Sequence, residues 1–150
     1  MIIRPSACIV RDEELLAMRY SYGGHTRYNL PGGKPDPGET LQDTLVRELQ
    51  EELAITASCG DLMMVAETHV AERHVLHLIF HVPSYEGEPV LVPENTSCLG
   101  IDWIPLARLQ EKTLYPEVQS QLGKKIRSGS VQAHRDNFPV YLGNIFQTWF

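Results

Sequence analysis

The sequence predicts an α/β fold, in which a mixed β-sheet is covered by helices and forms an α/β sandwich. Strand-like apolar segments come first, a segment with helical periodicity follows at residues 41–53, and further strand-like segments precede a second helical segment. This order of elements is typical of a domain whose sheet packs against helices. A chain of 150 residues is long enough for a core of its own, so we expect residues 1–150 to form a single domain.

The N-terminal segment is expected to form a β-hairpin. Residues 2–10 and 14–20 are rich in apolar side chains, and the polar residues 11–13 separate them. Residues 21–26 contain two adjacent glycines and are expected to form a loop. A strand is then predicted to end within residues 28–33, in a turn with the sequence Pro-Gly-Gly.

A helix is predicted directly after this turn. Its core-facing side is a row of leucines spaced four residues apart, Leu41, Leu45, Leu49 and Leu53. That spacing places all four side chains on one face of a helix. Thr40 followed by Asp43 fits the pattern of a weak capping box, so we expect the helix to begin just after Thr40.

The second half of the chain is predicted to return to strands and then to a helix. Residues 62–70 and 74–82 flank a short polar segment and are expected to form another hairpin. The remaining predicted elements are a short strand at 90–92, a strand at 100–104, a helical turn at 105–110 and a helix from Pro116 to Gly129. Residues 130–150 form a C-terminal extension that either adds an edge strand or covers a partner subunit, as it would in a homodimer.

The first predicted helix carries three glutamates along one edge. With Glu48 set at zero on a helical wheel, Glu52 falls at about +40° and Glu51 at about −60°. Glu48 and Glu52 form a like-charge i,i+4 pair, which destabilises a helix by roughly 0.2–0.5 kcal/mol. The dipole at the C-terminal end of a helix also favours cations over anions. A bound divalent metal ion would offset these costs, because carboxylate oxygens are the ligands that such ions prefer.

The residues around these glutamates resemble the signature of the Nudix hydrolases. That signature is Gly-x5-Glu-x7-Arg-Glu-U-x-Glu-Glu-x-Gly-U, in which U is an apolar residue. Between Gly33 and Ile55 the chain matches six of its seven polar or glycine positions, with Gly33, Glu39, Arg47, Glu48, Glu51 and Glu52. Ala54 stands where the family has glycine. If residue 54 adopts a left-handed conformation, alanine there costs about 1 kcal/mol relative to glycine, without removing a metal ligand.

The resemblance implies an α/β/α sandwich in which the motif forms a loop and a helix, and it also implies a metal site. Glu51 and Glu52 would be metal ligands, together with the backbone carbonyl of Gly32. Glu48 would be a further ligand or the base that activates water. The metal would be Mg²⁺, with Mn²⁺ as the alternative.

The other residues of the motif would support this site. By the same resemblance, Arg47 would orient the glutamates, Glu39 would support them, and Lys34 would contact phosphate or steady the base. In this family a last ligand or base often comes from a loop outside the motif. Glu94 and Asp102 are the candidates, and Glu94 is favoured because it lies in the loop before the next predicted strand.

Four histidines of the second predicted hairpin suggest another metal site. They are His69, His74, His77 and His81. His77 and His81 share one face of a strand but stand about 13 Å apart, so they cannot bind one ion together. We therefore interpret these residues as scattered strand histidines, one of which could line a substrate pocket.

The composition limits the partners and the location of the protein. A net charge of −6 argues against non-specific binding to nucleic acids or to membranes. Three cysteines, far apart and without a CxxC pair, argue against a zinc site and a disulfide framework, and they favour a reducing cytoplasm. We expect neither a signal peptide nor a transmembrane span.

Together these features predict a Mg²⁺-dependent hydrolase that cleaves a pyrophosphate bond in a nucleoside diphosphate linked to another group, such as a nucleoside triphosphate or a small nucleotide conjugate. An ADP-ribose or nucleotide-sugar pyrophosphatase is an alternative. It is weakened because residues 56–81 lack the proline that accompanies ADP-ribose activity in this family. A nucleotide-sensing module with little activity is a second alternative. An enzyme acting on the 5′ end of RNA is a third, against which the acidic net charge counts.

Overall fold

The computed structural model of the protein describes residues 1–127 and 139–147. The N-terminal part contains β1 (Ile2–Cys8), β2 (Val10–Arg11), β3 (Glu14–Tyr22), β4 (His25–Asn29) and α1 (Leu41–Leu53). The middle part contains β5 (Thr56–Ser58), β6 (Leu62–Val70), β7 (Arg73–His81), β8 (Ser84–Glu86), a 3₁₀ helix at Pro93–Asn95, and β9 (Gly100–Pro105). The C-terminal part contains a 3₁₀ helix at Leu106–Glu111, β10 (Leu114–Tyr115), α2 (Gln119–Arg127) and β11 (Val140–Asn144).

The strands form two main sheets and a small two-stranded ladder. The first sheet has the order β1-β7-β6-β11, in which β1 is parallel to β7, β7 is antiparallel to β6 and β11 is parallel to β6. The second sheet contains β10, β4, β3 and β2 in that order, and β9 pairs with β3. The ladder consists of β5 and β8. The mixture of parallel and antiparallel pairs confirms the mixed sheet that the sequence predicts.

Two apolar cores connect the sheets to the helices. The buried leucines of α1 pack with residues of both sheets, including Leu16 of β3 and Phe80 of β7. Leu122 of α2 belongs to the other core, together with Ile79 of β7 and Ile104 of β9. Neighbouring residues of one strand point to opposite faces, so Ile79 and Phe80 serve different cores. The result is the predicted α/β/α sandwich, with α1 and α2 on different sides.

Helix α1 begins and ends as the sequence predicts. The hydroxyl of Thr40 accepts a hydrogen bond from the backbone N–H of Asp43, and the Asp43 carboxylate accepts one from the backbone N–H of Thr40, which completes the capping box. At the other end, Ala54 adopts a left-handed conformation with φ 56° and ψ 31°. Its N–H donates to the carbonyl of Gln50 at 3.1 Å. This conformation is unfavourable for any residue that carries a Cβ atom.

We expect the substitution Ala54→Gly to stabilise the protein by about 1 kcal/mol, because glycine adopts the left-handed conformation without steric cost. Urea unfolding of both proteins measures this difference. The matched control is Ala107→Gly in the 3₁₀ helix that follows β9, where glycine brings only its entropic cost and stability should fall. A fall in stability for both variants would contradict a strained helix end.

The predicted N-terminal hairpin is only partly correct. Of the first predicted arm, β1 pairs along its whole length with β7 in the first sheet. Only the short strand β2 forms the predicted hairpin with β3. The turn between β2 and β3 consists of Asp12 and Glu13, both with positive φ, as in two-residue hairpin turns. The sequence does not show that the chain changes sheet near Ile9, because Ile9 lies within one continuous apolar run from Ala7 to Val10.

Two other short segments differ from the prediction. The loop predicted at 21–26 is shorter, because β3 and β4 continue as a hairpin up to the two glycines. The strand predicted at 90–92 is wrong. The N–H groups of Val90 and Val92 donate instead to carbonyls at the C-terminal end of α1, so this segment holds the helix rather than extending a sheet.

Most of the remaining predicted elements are confirmed. The second hairpin is formed by β6 and β7, the predicted strand at 100–104 is β9, and a 3₁₀ helix follows it. The second helix begins at Gln119 rather than at Pro116. Within residues 1–127 and 139–147, no helix is long and apolar enough to cross a membrane.

Strand β11 is the edge strand that was one of the two alternatives for the C-terminal extension. Val140 pairs in parallel with Met64 of β6, and β11 lies at the end of the first sheet. The predicted helix end at Gly129 lies outside the described residues, as do the rest of 128–138 and residues 148–150.

Candidate active site

Arg47, in the middle of α1, binds three of the acidic residues of the motif. Its Nε and Nη2 atoms donate to the two carboxylate oxygens of Glu39, at 2.7 and 3.0 Å. Its Nη1 atom donates to Glu48 and to Glu51, at 3.1 Å in each case. The contact with Glu51 is the i,i+4 pair that the helical spacing predicts. One guanidinium therefore fixes the directions of three carboxylates.

Glu39 joins the start of α1 to the preceding loop. In addition to Arg47, the hydroxyl of Thr44 and the backbone N–H of Asp36 donate to its Oε2 atom, each at 2.9 Å. The hydrogen bonds from Arg47, and then that from Asp36, lower the pKa of Glu39 to about 2. The backbone carbonyl of Lys34 also accepts from Arg47, at 3.1 Å. The loop before the helix is thus held by the same arginine as the glutamates.

The carboxylate of Glu48 lies directly against the Cα atom of Gly33. A Cβ atom at residue 33 would overlap with both oxygens of this carboxylate. Only 14% of the Glu48 side chain is exposed, which places the carboxylate at the border between core and solvent. A side chain at residue 33 would therefore displace the Glu48 carboxylate from this position.

Glu48 and Glu52 lie one helical turn apart on α1. Burial raises the pKa of Glu52, and the nearby carboxyl group of Glu48 raises it further. Two carboxylates this close repel each other when both are ionised. A divalent cation between them would remove that repulsion, because its own charge reverses the local electrostatics. The pair therefore fits a bound divalent cation, and Glu51 lies beside it with 47% of its side chain exposed.

Strand β1 positions Gly32, whose carbonyl is the predicted backbone ligand. Gly32 forms an isolated β-bridge with Ser6, and a Cβ atom on it would clash with the carbonyl of Pro5. Its own carbonyl accepts a hydrogen bond from Nη2 of Arg4 at 3.3 Å. A carbonyl oxygen has two lone pairs, so this hydrogen bond leaves one of them for another partner.

Glu94, the favoured candidate outside the motif, lies on a 3₁₀ helix that is attached to the end of α1. The neighbouring Asn95 donates from Nδ2 to the backbone carbonyl of Glu51 at 2.8 Å. Glu94 itself is exposed. The structure thus places this loop beside the C-terminal end of α1.

Asp102, the other candidate, is held on the far side of β9. Its carboxylate accepts hydrogen bonds from Arg19 and from the hydroxyl of Tyr28, each at 2.9 Å. The neighbouring Trp103 packs with the core around α1. Because successive strand residues point to opposite faces, Asp102 faces away from α1 and from its glutamates.

A pocket of about 200 Å³ adjoins the loop before α1. Four cationic side chains line it, those of Arg4, Arg27, Lys34 and Arg73. Burial lowers the pKa of Arg4, while the charges of Glu52 and Glu48 act in the opposite direction. Arg4 is therefore close to both the pocket and the glutamates, and it links the two.

Aromatic and amide groups complete the walls of this pocket. The guanidinium of Arg27 lies 3.8 Å from the ring centre of Tyr22 and 4.6 Å from that of Tyr115. Asn29 also lines the pocket, and its buried Oδ1 atom has no hydrogen-bond partner among the described residues. A buried carbonyl oxygen without a partner is costly, so Oδ1 of Asn29 is suited to accept a hydrogen bond from a ligand in the pocket.

The fold and the motif agree with the comparison to known protein families. The NUDIX domain model matches residues 2–124 of the chain, which include α1, its glutamates and the whole pocket lining. The chain belongs to the Nudix family. Helix α1 and the loop before it carry the residues that resemble the Nudix motif, and they lie within the matched range.

Individual relatives and a solved structure are similar to this Nudix domain. The chain is 36% identical over 85 residues to the 8-oxo-dGTP diphosphatase of Escherichia coli K12. This alignment covers 54% of the chain and 66% of that protein. The chain is 38% identical over 90 residues to the CTP pyrophosphohydrolase of the same organism, and this alignment covers 58% of the chain and 66% of that protein. The chain thus spans slightly less than two thirds of either relative. The solution structure of the E. coli ORF135 protein superposes with a TM-score of 0.73 at 25% identity, covering 91% of this chain and 95% of that one.

Two residues near the Nudix motif are not indicated by the sequence. The side chain of Thr96 is near enough to Glu52 to act against the rise of its pKa, and Arg4 donates to the carbonyl of Gly32. Neither residue lies in the motif, and both reach it only through the tertiary fold. The one signal in the sequence was the arginine within an otherwise apolar first strand, since a charged residue there is seldom buried without a partner.

A buried histidine lies behind the pocket wall of the Nudix domain. His77 Nε2 is 3.0 Å from the hydroxyl of Thr68, which in turn is 3.2 Å from the hydroxyl of Tyr115. Burial, and secondarily the charge of Arg4, lower the pKa of His77 to about 3. His77 is therefore neutral in the folded protein at neutral pH.

We expect His77 to make the protein less stable in mild acid. Its pKa is about 6.5 in the unfolded chain and about 3 in the folded protein, so the unfolded state binds more protons between these values. Stability from this residue is complete above pH 6.5 and falls by up to about 1.4 kcal/mol for each pH unit below it. Urea unfolding of the native protein and of His77→Gln between pH 7 and pH 4 measures this slope.

The variant should show a shallower loss of stability in acid, because glutamine does not titrate. The matched control is His25→Gln, which replaces an exposed histidine on β4 and should keep the steep profile. If native protein and His77→Gln lose stability in parallel, the buried neutral histidine is not the cause.

Proposed function

We propose that this Nudix domain is a divalent-metal-dependent pyrophosphohydrolase that acts on a nucleoside triphosphate. The observation that carries this proposal is the set of three carboxylates, Glu48, Glu51 and Glu52, that Arg47 and the loop at Gly33 hold beside a cationic pocket. The like charges of Glu48 and Glu52 repel each other, and a bound cation would relieve that repulsion.

The proposed metal ligands are Glu51, Glu52 and the carbonyl of Gly32, and the proposed ion is Mg²⁺ or Mn²⁺. When bound, such an ion neutralises developing negative charge and lowers the pKa of a bound water. Glu48 supplies either a further ligand or the base that removes a proton from the attacking water. Its position against Gly33, at the border of core and solvent, suits both roles.

The cationic pocket is the proposed place for the nucleotide. The protein carries a net charge of −6, yet four cationic side chains converge on this one pocket. Guanidinium groups recognise phosphate through paired N–H donors, so Arg4 and Arg73 are suited to the phosphate chain, and so is the ammonium of Lys34. Asn29 then offers an amide to the base or sugar.

A nucleoside triphosphate is the preferred substrate class for two reasons. Both relatives described above are named for reactions on nucleoside triphosphates, 8-oxo-dGTP and CTP. In addition, residues 56–81 lack the proline associated with ADP-ribose activity. Water would attack one phosphorus of the triphosphate, and the products would be a nucleoside monophosphate and pyrophosphate.

A substrate panel with Mg²⁺ tests the proposal. The panel contains the common ribo- and deoxyribonucleoside triphosphates, 8-oxo-dGTP, ADP-ribose and UDP-sugars, and the release of pyrophosphate or phosphate is measured after enzymatic coupling. Release of pyrophosphate from triphosphates supports the proposal. Turnover of ADP-ribose or UDP-sugars alone would overturn the substrate class. Nucleotide binding without turnover would overturn the activity and favour a sensing module.

A further inference from the structure

The geometry points to a separate binding site for a transition metal ion such as Zn²⁺, formed by Glu67, His69 and His74 on the β6–β7 hairpin. Their potential ligand atoms all lie within 4.8 Å of one another. The site shares no residue with the Nudix motif or with the cationic pocket, so it is independent of the proposed hydrolase function.

The antiparallel ladder brings these three residues to one face of the first sheet. His69 of β6 and His74 of β7 are directly paired, next to the turn of the hairpin. Residues opposite each other in such a ladder have Cβ atoms about 5 Å apart, and the two imidazole rings stack with centroids at 3.8 Å. Glu67 is two residues before His69 in β6, so its side chain emerges on the same face.

The distances are close to those of a metal site. The Oε2 atom of Glu67 lies 2.6 Å from Nε2 of His74 and 3.9 Å from Nε2 of His69. Ligand atoms at roughly 2.1 Å from a tetrahedral ion are about 3.4 Å from each other. The observed spacings lie on either side of this value, so small rotations of these partly exposed side chains are sufficient. Half of the His69 side chain and a third of the His74 side chain are exposed.

The ligand types select the metal. Two imidazoles and one carboxylate suit zinc, copper, nickel or iron, whereas Mg²⁺ prefers oxygen ligands alone. Three protein ligands leave one position of a tetrahedral ion for water or an external ligand. This site is therefore chemically distinct from the glutamates of α1.

Strand β11 holds the carboxylate of the site in place. The hydroxyl of Tyr141 donates to Oε1 of Glu67 at 2.6 Å, which leaves Oε2 directed at the histidines. The backbone N–H of Ile145 donates to the carbonyl of Glu67 at 2.7 Å. Groups that orient a metal ligand in this way commonly change metal affinity tenfold to a hundredfold when they are removed.

Isothermal titration of the full chain with zinc chloride, in the presence of excess Mg²⁺, tests the site. The native protein should bind one Zn²⁺ here, and the double variant His69→Ala/His74→Ala should lose this binding. Tyr141→Phe should bind it about tenfold to a hundredfold more weakly. His25→Ala, which removes an exposed histidine from another strand, is the matched control and should bind Zn²⁺ as the native protein does.

Two further measurements separate this site from the Nudix helix and from effects on folding. Glu48→Gln/Glu52→Gln should keep the Zn²⁺ site, because those residues belong to α1. Zn²⁺ should raise the thermal unfolding midpoint of the native protein but not that of His69→Ala, the variant at the most exposed ligand. Unchanged Zn²⁺ stoichiometry and affinity in the double variant would overturn the proposal, and so would the absence of Zn²⁺ binding by the native protein.

Discussion

The substitution Glu52→Gln is expected to abolish Mg²⁺-dependent hydrolysis, with a loss of at least about a thousandfold in kcat, or roughly 4 kcal/mol of activation free energy. The amide keeps the shape of the side chain but removes the charge that the proposed metal site requires. The free energy of unfolding should stay within about 0.5 kcal/mol of the native value. Loss of the Glu52 charge also removes its repulsion with Glu48, which is a term of that size. Steady-state kinetics and urea unfolding of the same sample measure both effects.

The matched control is Glu111→Gln, which removes the same charge from an exposed ion pair with Arg108. Its activity should equal that of the native protein, because exposed pairs of this kind contribute little. Unchanged turnover in Glu52→Gln would contradict the assignment of this glutamate as a metal ligand. A loss of activity accompanied by unfolding would assign Glu52 to the structure of α1 instead.

Arg47→Lys is expected to lower kcat by about tenfold to a hundredfold and to raise the Mg²⁺ concentration needed for half-maximal activity. The guanidinium of Arg47 makes two hydrogen bonds to Glu39 while it also reaches Glu48 and Glu51. An ammonium group keeps the charge but cannot reproduce this fork. The glutamates then lose their common orientation. Helix α1 should stay folded, because its leucines still pack in the core.

Activity measured across a Mg²⁺ titration, together with the thermal midpoint, distinguishes orientation of the site from general stability. Arg108→Lys changes the same side chain in an exposed i,i+3 pair and serves as the control. A native Mg²⁺ dependence in Arg47→Lys would show that the fork to the three glutamates has no functional consequence.

The helix of the site was predictable from the sequence because its information is local. Leucines spaced by four residues, a capping box at Thr40 and the left-handed Ala54 are all encoded within one segment. The contact between Arg47 and Glu51 follows from helical geometry alone. The prediction of α1, which depends on helical periodicity within one segment, therefore agrees with the structure.

Features that depend on distant parts of the chain could not be predicted in this way. The first apolar run splits between two sheets, and nothing in its pattern shows which partner each half will find. Arg4 and Thr96 reach the glutamates only after the strands have assembled. From the sequence, His69 and His74 are only scattered strand histidines, because their pairing depends on the register of a hairpin rather than on their spacing.

The parallel pairing of β1 with β7 also determines when the site can form during synthesis. The backbone N–H of Ala7 donates to the carbonyl of Pro31 at 2.8 Å, so β1 holds the loop that precedes the Nudix helix. β1 is itself held by β7, beginning with Ile2 opposite Val75. Contacts between such distant residues form late, because closing a long loop costs entropy before any pairing is gained. A ribosome must therefore have released the whole β6–β7 hairpin before the loop of the glutamate site can take its final shape.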